Sequence, residues 1–226
     1  MVSGMPNSNI QKWRRLSTSI VLILQVVALA VHRPLAAGTE KKGAPDRAVY
    51  QVKPEDYRAA VPPQPPPRIL SQTETEIRWR AEWQTEKTAR DVRLKLVTIH
   101  AYATVQAEKS WNSAPKDARL LMHGQGHLDL SEIFAREWEL RLREEIRMGS
   151  PVSATGANLP EAEKAIERRL LERLHEDRYM LEERHREYDK ATDHGRSRSV
   201  MEQRQALHAA RLKESAEKLD PPAKAP

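Results

Sequence analysis

Residues Leu120 to Trp138 read LLMHGQGHLDLSEIFAREW, and the interpretation of the chain turns on them. Leu120, His123, His127, Leu130 and Phe134 recur at the three-to-four-residue spacing of one helix face, with Leu121, Leu128 and Trp138 beside them. At 100° per residue, His123 and His127 lie one turn apart on that face and look toward the core. Two imidazoles placed so can grip a single metal ion. A His-xxx-His pair can equally be two hydrogen-bonded core histidines, so the surroundings have to decide.

Working outward, Ser113-Ala114-Pro115 reads as the start of this helix, which should run to about Met148. Gly149 to Pro160 is turn-rich and reads as a loop. A second long helix follows, with Ile166, Leu170, Leu174, Leu181, His185 and Tyr188 along one face. It should end near His194-Gly195, where glycine suits the left-handed residue past a helix end. A third, thinly apolar helix is expected over Ser199 to Leu219, and a disordered tail over 220–226. Upstream, Ile77, Trp79, Ala81 and Trp83 alternate with polar residues as in a half-buried strand. Val92, Leu94 and Leu96 then occupy one parity, and Val97, Ile99, Ala101 and Ala103 the other, which predicts a bulge near Leu96 or two short strands. The two runs should form a hairpin closed around Thr85 to Arg90, with His100 on its polar face. The expected fold is α+β: a small antiparallel sheet packed on two long helices plus a C-terminal helix, in one domain over 69–219.

The ends of the chain speak to location. Lys12, Arg14 and Arg15 precede an apolar run from Ile20 to Val31 broken only by Gln25, and small residues follow at Ala36 and Ala37. This is the pattern of a signal peptide over 1–37, too short for the roughly 20 residues of a spanning helix. A secreted or periplasmic protein is expected, with membrane attachment only through an uncleaved signal. Residues 1–37 hold four basic residues (with Arg33) and no acidic one; removing those four from the 38 leaves 34 against 32, a net charge of +2. So balanced a mature chain argues against nucleic-acid binding. Seven prolines between Pro45 and Pro67 mark 38–68 as a disordered, extended spacer. The chain has no cysteine, which excludes disulfides, thiol catalysis and cysteine-ligated metal; any metal must use His, Asp or Glu.

The His123/His127 pair matches the HExxH helix of zinc hydrolases except that Gly124 stands where the glutamate belongs. Such sites use three protein ligands and leave a fourth position for water. A third ligand has to come from elsewhere: His194, at a helix end where the chain turns, or His185, on the apolar face of the second helix. His175 and His208 sit among charges and read as solvated. A glutamate base contributes ~10²–10⁴-fold in rate, and glycine supplies no group for that work. Asp129 and Glu132 lie roughly 200° and 140° around the helix from His127, so they read as partners that orient imidazoles rather than as a replacement base.

LLMHGQGHLDLSEIFAREW together with YDKATDHG, beginning at Tyr188, resembles a bacterial domain-of-unknown-function family described as secreted zinc-dependent proteases. Its pattern runs close to L-x-x-H-E-Q-G-H-F-D-x-x-E-x-x-A-R, then Y-D-x-x-T-x-H-G some sixty residues on. His123, Gln125, Gly126, His127, Asp129, Glu132, Ala135 and Arg136 match the first motif; Tyr188, Asp189, Thr192, His194 and Gly195 match the second. The resemblance spans about Ile69 to Leu219. It implies zinc held by His123, His127 and His194, with Tyr188 as a donor to a developing oxyanion and Asp189 among the orienting partners. Gly124 departs from it at the general base. The expectation is therefore an exported zinc-metalloprotease-like pseudoenzyme that binds metal and holds a peptide or protein partner. The alternatives are a slow secreted zinc peptidase and a metal-free helical envelope protein.

Overall fold

The computed structural model describes residues 47–221. The expected signal peptide, residues 38–46 of the expected spacer and the tail beyond 221 lie outside these residues. The elements run β1 (Ser71–Gln72), β2 (Thr75–Lys87), β3 (Val92–Val105), β4 (Trp111–Asn112), α1 (Ala118–Arg147), β5 (Ser153–Gly156), α2 (Leu159–Ala191) and α3 (Arg198–Leu219). β2, β3 and β5 form an antiparallel three-stranded sheet in that order, and β1 pairs with β4. The class is α+β, with a small antiparallel sheet and three helices.

β2 and β3 are the expected hairpin, with strands that continue to Lys87 and a turn held by Thr88 N donating to Asp91 O at 2.9 Å. The predicted change of parity is a bulge. Glu82 pairs with Thr98 and Trp83 with Leu96, leaving Val97 without a partner across the ladder. Because one extra residue swaps the faces, Leu94 and Leu96 point into the core before the bulge, and Ile99, Ala101 and Ala103 after it. β5 lies inside the segment expected to be a loop. Four residues with a terminal glycine carry almost no strand signal; pairing with Val92 to Lys95 creates this strand.

α1 is the axis of the molecule. Its N-cap is Asp117, whose carboxylate accepts from Arg119 N at 2.8 Å, three to four residues later than the expected start. Every residue from His123 to Arg136 is buried, because the sheet, α2, α3 and the leading segment enclose the helix on all sides. One face packs Leu128, Phe134, Trp138 and Leu142 against Ile77, Trp79, Leu94 and Ile99 of the sheet and Ile166, Leu170 and Leu174 of α2. Trp79 and Trp138 meet edge to face at 5.6 Å.

The expected disordered spacer is ordered from residue 47 onward. Val52 N donates to Gln125 Oε1 at 2.8 Å, Gln125 Nε2 donates to Tyr50 O at 3.1 Å, and the Arg47 guanidinium makes a two-pronged contact with Glu139 at 2.9 and 3.0 Å. Proline blocked regular structure here, yet α1 supplied side-chain partners for its backbone. Arg47 also reaches Asp220, at the start of the expected tail. Among the described residues no helix is long and apolar enough to cross a membrane.

Candidate metal centre

Two pairs of side chains, each spaced i,i+4, face one another across the α1–α2 contact: His123 and His127 on α1, His185 and Asp189 on α2. Asp189 Oδ1 lies 3.1 Å from His123 Nε2 and 3.0 Å from His127 Nε2. The three ligand atoms all fall within 4.8 Å of one another, so this cluster can hold a metal ion.

The arrangement fits an ion on two grounds. Two ligands each about 2.0–2.1 Å from a tetrahedral zinc sit roughly 3.3 Å apart, close to the spacings of the two imidazoles from Asp189. Secondly, His123 Nε2 is sealed from solvent and makes no hydrogen bond, although Asp189 Oδ1 lies 3.1 Å away. Ligands of one ion aim at the ion rather than at each other, and an orphaned buried nitrogen otherwise costs free energy.

Electrostatics favour the ligating forms of Asp189 and His123. Burial alone would raise the Asp189 carboxyl, but the close approach of the His123 and His127 imidazoles outweighs it and keeps the group well below the usual carboxylate range. Burial lowers the His123 imidazole, favouring the neutral ring a metal requires, against the opposing pull of Asp189. Burial, reinforced by His127, pushes His185 down to about 3.

The expected third ligand, His194, stands just outside the trio. Its Nδ1 is 3.9 Å from Asp189 Oδ1 and its side chain is 39% exposed. It sits in a left-handed turn, with φ of 48° at Asp193, 52° at His194 and 81° at Gly195. Gly195 is required there twice over. A Cβ would lie in an unfavourable left-handed conformation and 2.8 Å from His123 Cγ. The turn thus packs against the first histidine, and Asp189, expected only to orient imidazoles, is the group that completes the cluster.

Other expected roles are corrected. Tyr188 does not offer its hydroxyl to an open site. Its ring stacks on His123 at 5.3 Å, and its hydroxyl is buried over Gly126 without a hydrogen bond. Burial, then the nearby Asp129 and Asp189, push that hydroxyl above its ordinary range. Asp129 accepts from Gln125 Nε2 at 2.7 Å and approaches His208 at 3.9 Å, not His123 or His127. Glu132 accepts from Ala103 N and Arg136 Nε, both at 2.7 Å, and so caps the edge of β3 beyond β5. His208, expected to be solvated, is 5% exposed, and burial with Arg204 and Arg211 lowers it to about 4. His100 pairs with Arg47 at 3.1 Å instead of facing free solvent.

Both glycines of the HGQGH run are cut to fit tyrosines. A Cβ on Gly126 would fall 2.0 Å from Tyr188 Oη, and one on Gly124 would fall 2.0 Å from Tyr57 Oη and 2.7 Å from Thr73 Oγ1. Glycine costs a helix interior about 1 kcal/mol relative to alanine; here the cost makes room for two aromatic rings. Tyr57, from the leading segment, therefore fills the space a glutamate at 124 would need, and Thr73 Oγ1 holds its hydroxyl at 2.9 Å. Nothing in the local sequence around Tyr57 signals this.

Comparison with protein-family models, curated proteins and solved structures finds no match.

Proposed function

We propose that this chain is an exported metal-binding protein on a zinc-protease-like scaffold, with His123, His127 and Asp189 as ligands and His194 at the margin of the site. The observation that carries the reading is the convergence of two imidazole Nε2 atoms and one carboxylate oxygen from two separate helices. Two imidazoles and a carboxylate suit zinc among several divalent metals, and the resemblance to the zinc-protease motifs selects zinc among them. Bound there, zinc would supply Lewis acidity.

Hydrolysis is lost or weak in this proposal for a steric as well as a chemical reason. Gly124 carries no base, and Tyr57 with Thr73 fills the volume a base at that position would occupy. The retained role is metal-dependent holding of a peptide or protein partner. Protein purified natively should retain about one zinc per chain, and His123→Ala should lose it. Little or no zinc in the wild type would favour the metal-free envelope protein. Wild type should not cleave casein-like substrates, whereas the triple variant Gly124→Glu, Tyr57→Ala, Thr73→Ala, which has both the carboxylate and its space, should. Equal cleavage by the two would overturn the pseudoenzyme and favour the slow peptidase.

A further inference from the structure

We infer that His185 is a positioning residue, which holds the His127 ring so that Nε2 faces the ion and ties that ring through Ser131 to the start of β2. The inference rests on the metal reading above. His127 Nδ1 and His185 Nδ1 lie 2.8 Å apart, His185 Nε2 and Ser131 Oγ 3.2 Å apart, and Ser131 Oγ and Thr75 Oγ1 2.6 Å apart. Ser131 and Thr75 are buried, and the His127 and His185 rings lie at 5.0 Å, tilted by 33°.

The proton count gives this row a direction. Between the two Nδ1 atoms one must donate and the other accept. When His127 Nε2 lends its lone pair to an ion, its proton resides on Nδ1 and donates to His185 Nδ1. A neutral His185 then carries its own proton on Nε2 and donates to Ser131 Oγ, whose hydroxyl donates to Thr75 Oγ1. With no ion, His127 Nε2 instead donates to Asp189 Oδ1 at 3.0 Å and the whole row runs the other way. Metal thus selects one of two tautomer patterns of the same row. A metal-bound histidine whose other nitrogen finds a fixed acceptor gains ligand basicity and orientation; losing such a partner costs typically ~10–100-fold in metal affinity.

The test uses the full chain, zinc, and three variants. His185→Phe removes the acceptor at similar size. His185→Asn restores an acceptor near the position of Nδ1. Ser131→Ala cuts the far end of the row. Zinc affinity by competition with a chromophoric chelator should fall ~10–100-fold in His185→Phe and recover most of that loss in His185→Asn. Zinc should also shift the imidazole ¹⁵N resonances of His127 and His185 to the Nδ1–H and Nε2–H forms respectively. Ser131→Ala should leave the His127 shift in place and move the His185 Nε2 resonance, whose partner it removes. Circular dichroism of the metal-free variants shows that each is folded. Wild type that binds zinc while His185→Phe binds it equally well, with an unchanged His127 signal, overturns the role of His185 and leaves the metal site standing. Wild type that binds no zinc overturns both.

Discussion

Two buried polar clusters lie on α1 a few turns apart, and they are built to opposite rules. Toward its middle, Glu132, Arg136 and Glu139 form a closed account. Arg136 donates to Glu132, to Leu212 O at 2.8 Å and to Arg47 O at 2.7 Å; Glu139 accepts from Ala101 N and from the Arg47 fork. Nearer its start, His123 Nε2 has no hydrogen bond, and two imidazoles crowd a single carboxylate oxygen. A cluster with every group satisfied fastens helix to sheet; a cluster left with an orphan nitrogen is one that could hold an ion, as proposed above. The difference separates structure from function on the same helix.

The comparison breaks most easily where the expected effects are largest. Arg136→Ala leaves Glu132 buried without its cation and should cost about 3–5 kcal/mol in denaturant unfolding. His123→Ala should cost the metal-free protein far less. The reverse order would mean that the histidine cluster is the structural one. Next, saturating zinc at about 100 times its Kd should stabilise the wild type by about 2.7 kcal/mol, as a rise in denaturation midpoint. That increment should vanish in His123→Ala and persist in Arg143→Ala, whose side chain serves Glu139 and Leu219 O. Gly126→Ala should destabilise by about 1–3 kcal/mol despite alanine's better helix propensity, since its methyl meets the Tyr188 ring at 2.2 Å. It should weaken zinc binding too, because Tyr188 stacks on His123.

Acid should act on two buried groups at different pH, His208 on α3 and Glu139 in the satisfied cluster. His208 is lowered to about 4, so between pH 6.5 and 4 the unfolded chain binds a proton that the fold does not, and stability falls as pH falls. The loss should be about 1–2 kcal/mol after allowance for screening, and His208→Gln should flatten it. Burial raises Glu139, but His100, Arg47 and Ala101 N together bring it to about 2. Its contribution is present above the ordinary carboxylate value of 4.5 and is lost from there down to about pH 2. Thermal unfolding across pH 7 to 2 checks both windows. The smallest effect is expected at the exposed Arg198–Glu202 pair, 2.9 Å apart, where Arg198→Ala should cost less than about 0.5 kcal/mol.

Much of the architecture was legible in the chain. Alternation marked β2 and β3, and the parity change before Val97 marked the bulge, because side-chain period is a local property of a strand. The helical stripes of α1 and α2 and the glycine at Gly195 were legible for the same reason. The short strands β1, β4 and β5 were not, since two to four residues carry no periodicity. Nor was the order of the leading segment, whose prolines conceal how Arg47 and Val52 bond to α1. At the site, the spacing of His123 and His127 was visible, but not that the i,i+4 pair His185 and Asp189 answers it, because the expectation placed the third ligand at His194.

Sequence alone determined the α+β class, the two long helices, and the paired imidazoles on one face of α1, because each follows from spacing along a single element. Only the tertiary structure decided that Asp189 and not His194 completes the trio, that Tyr57 occupies the room beside Gly124, and that Glu132 caps a strand edge. Those outcomes depend on which side chains meet across separate elements, and distance between elements is not written in the period of either one.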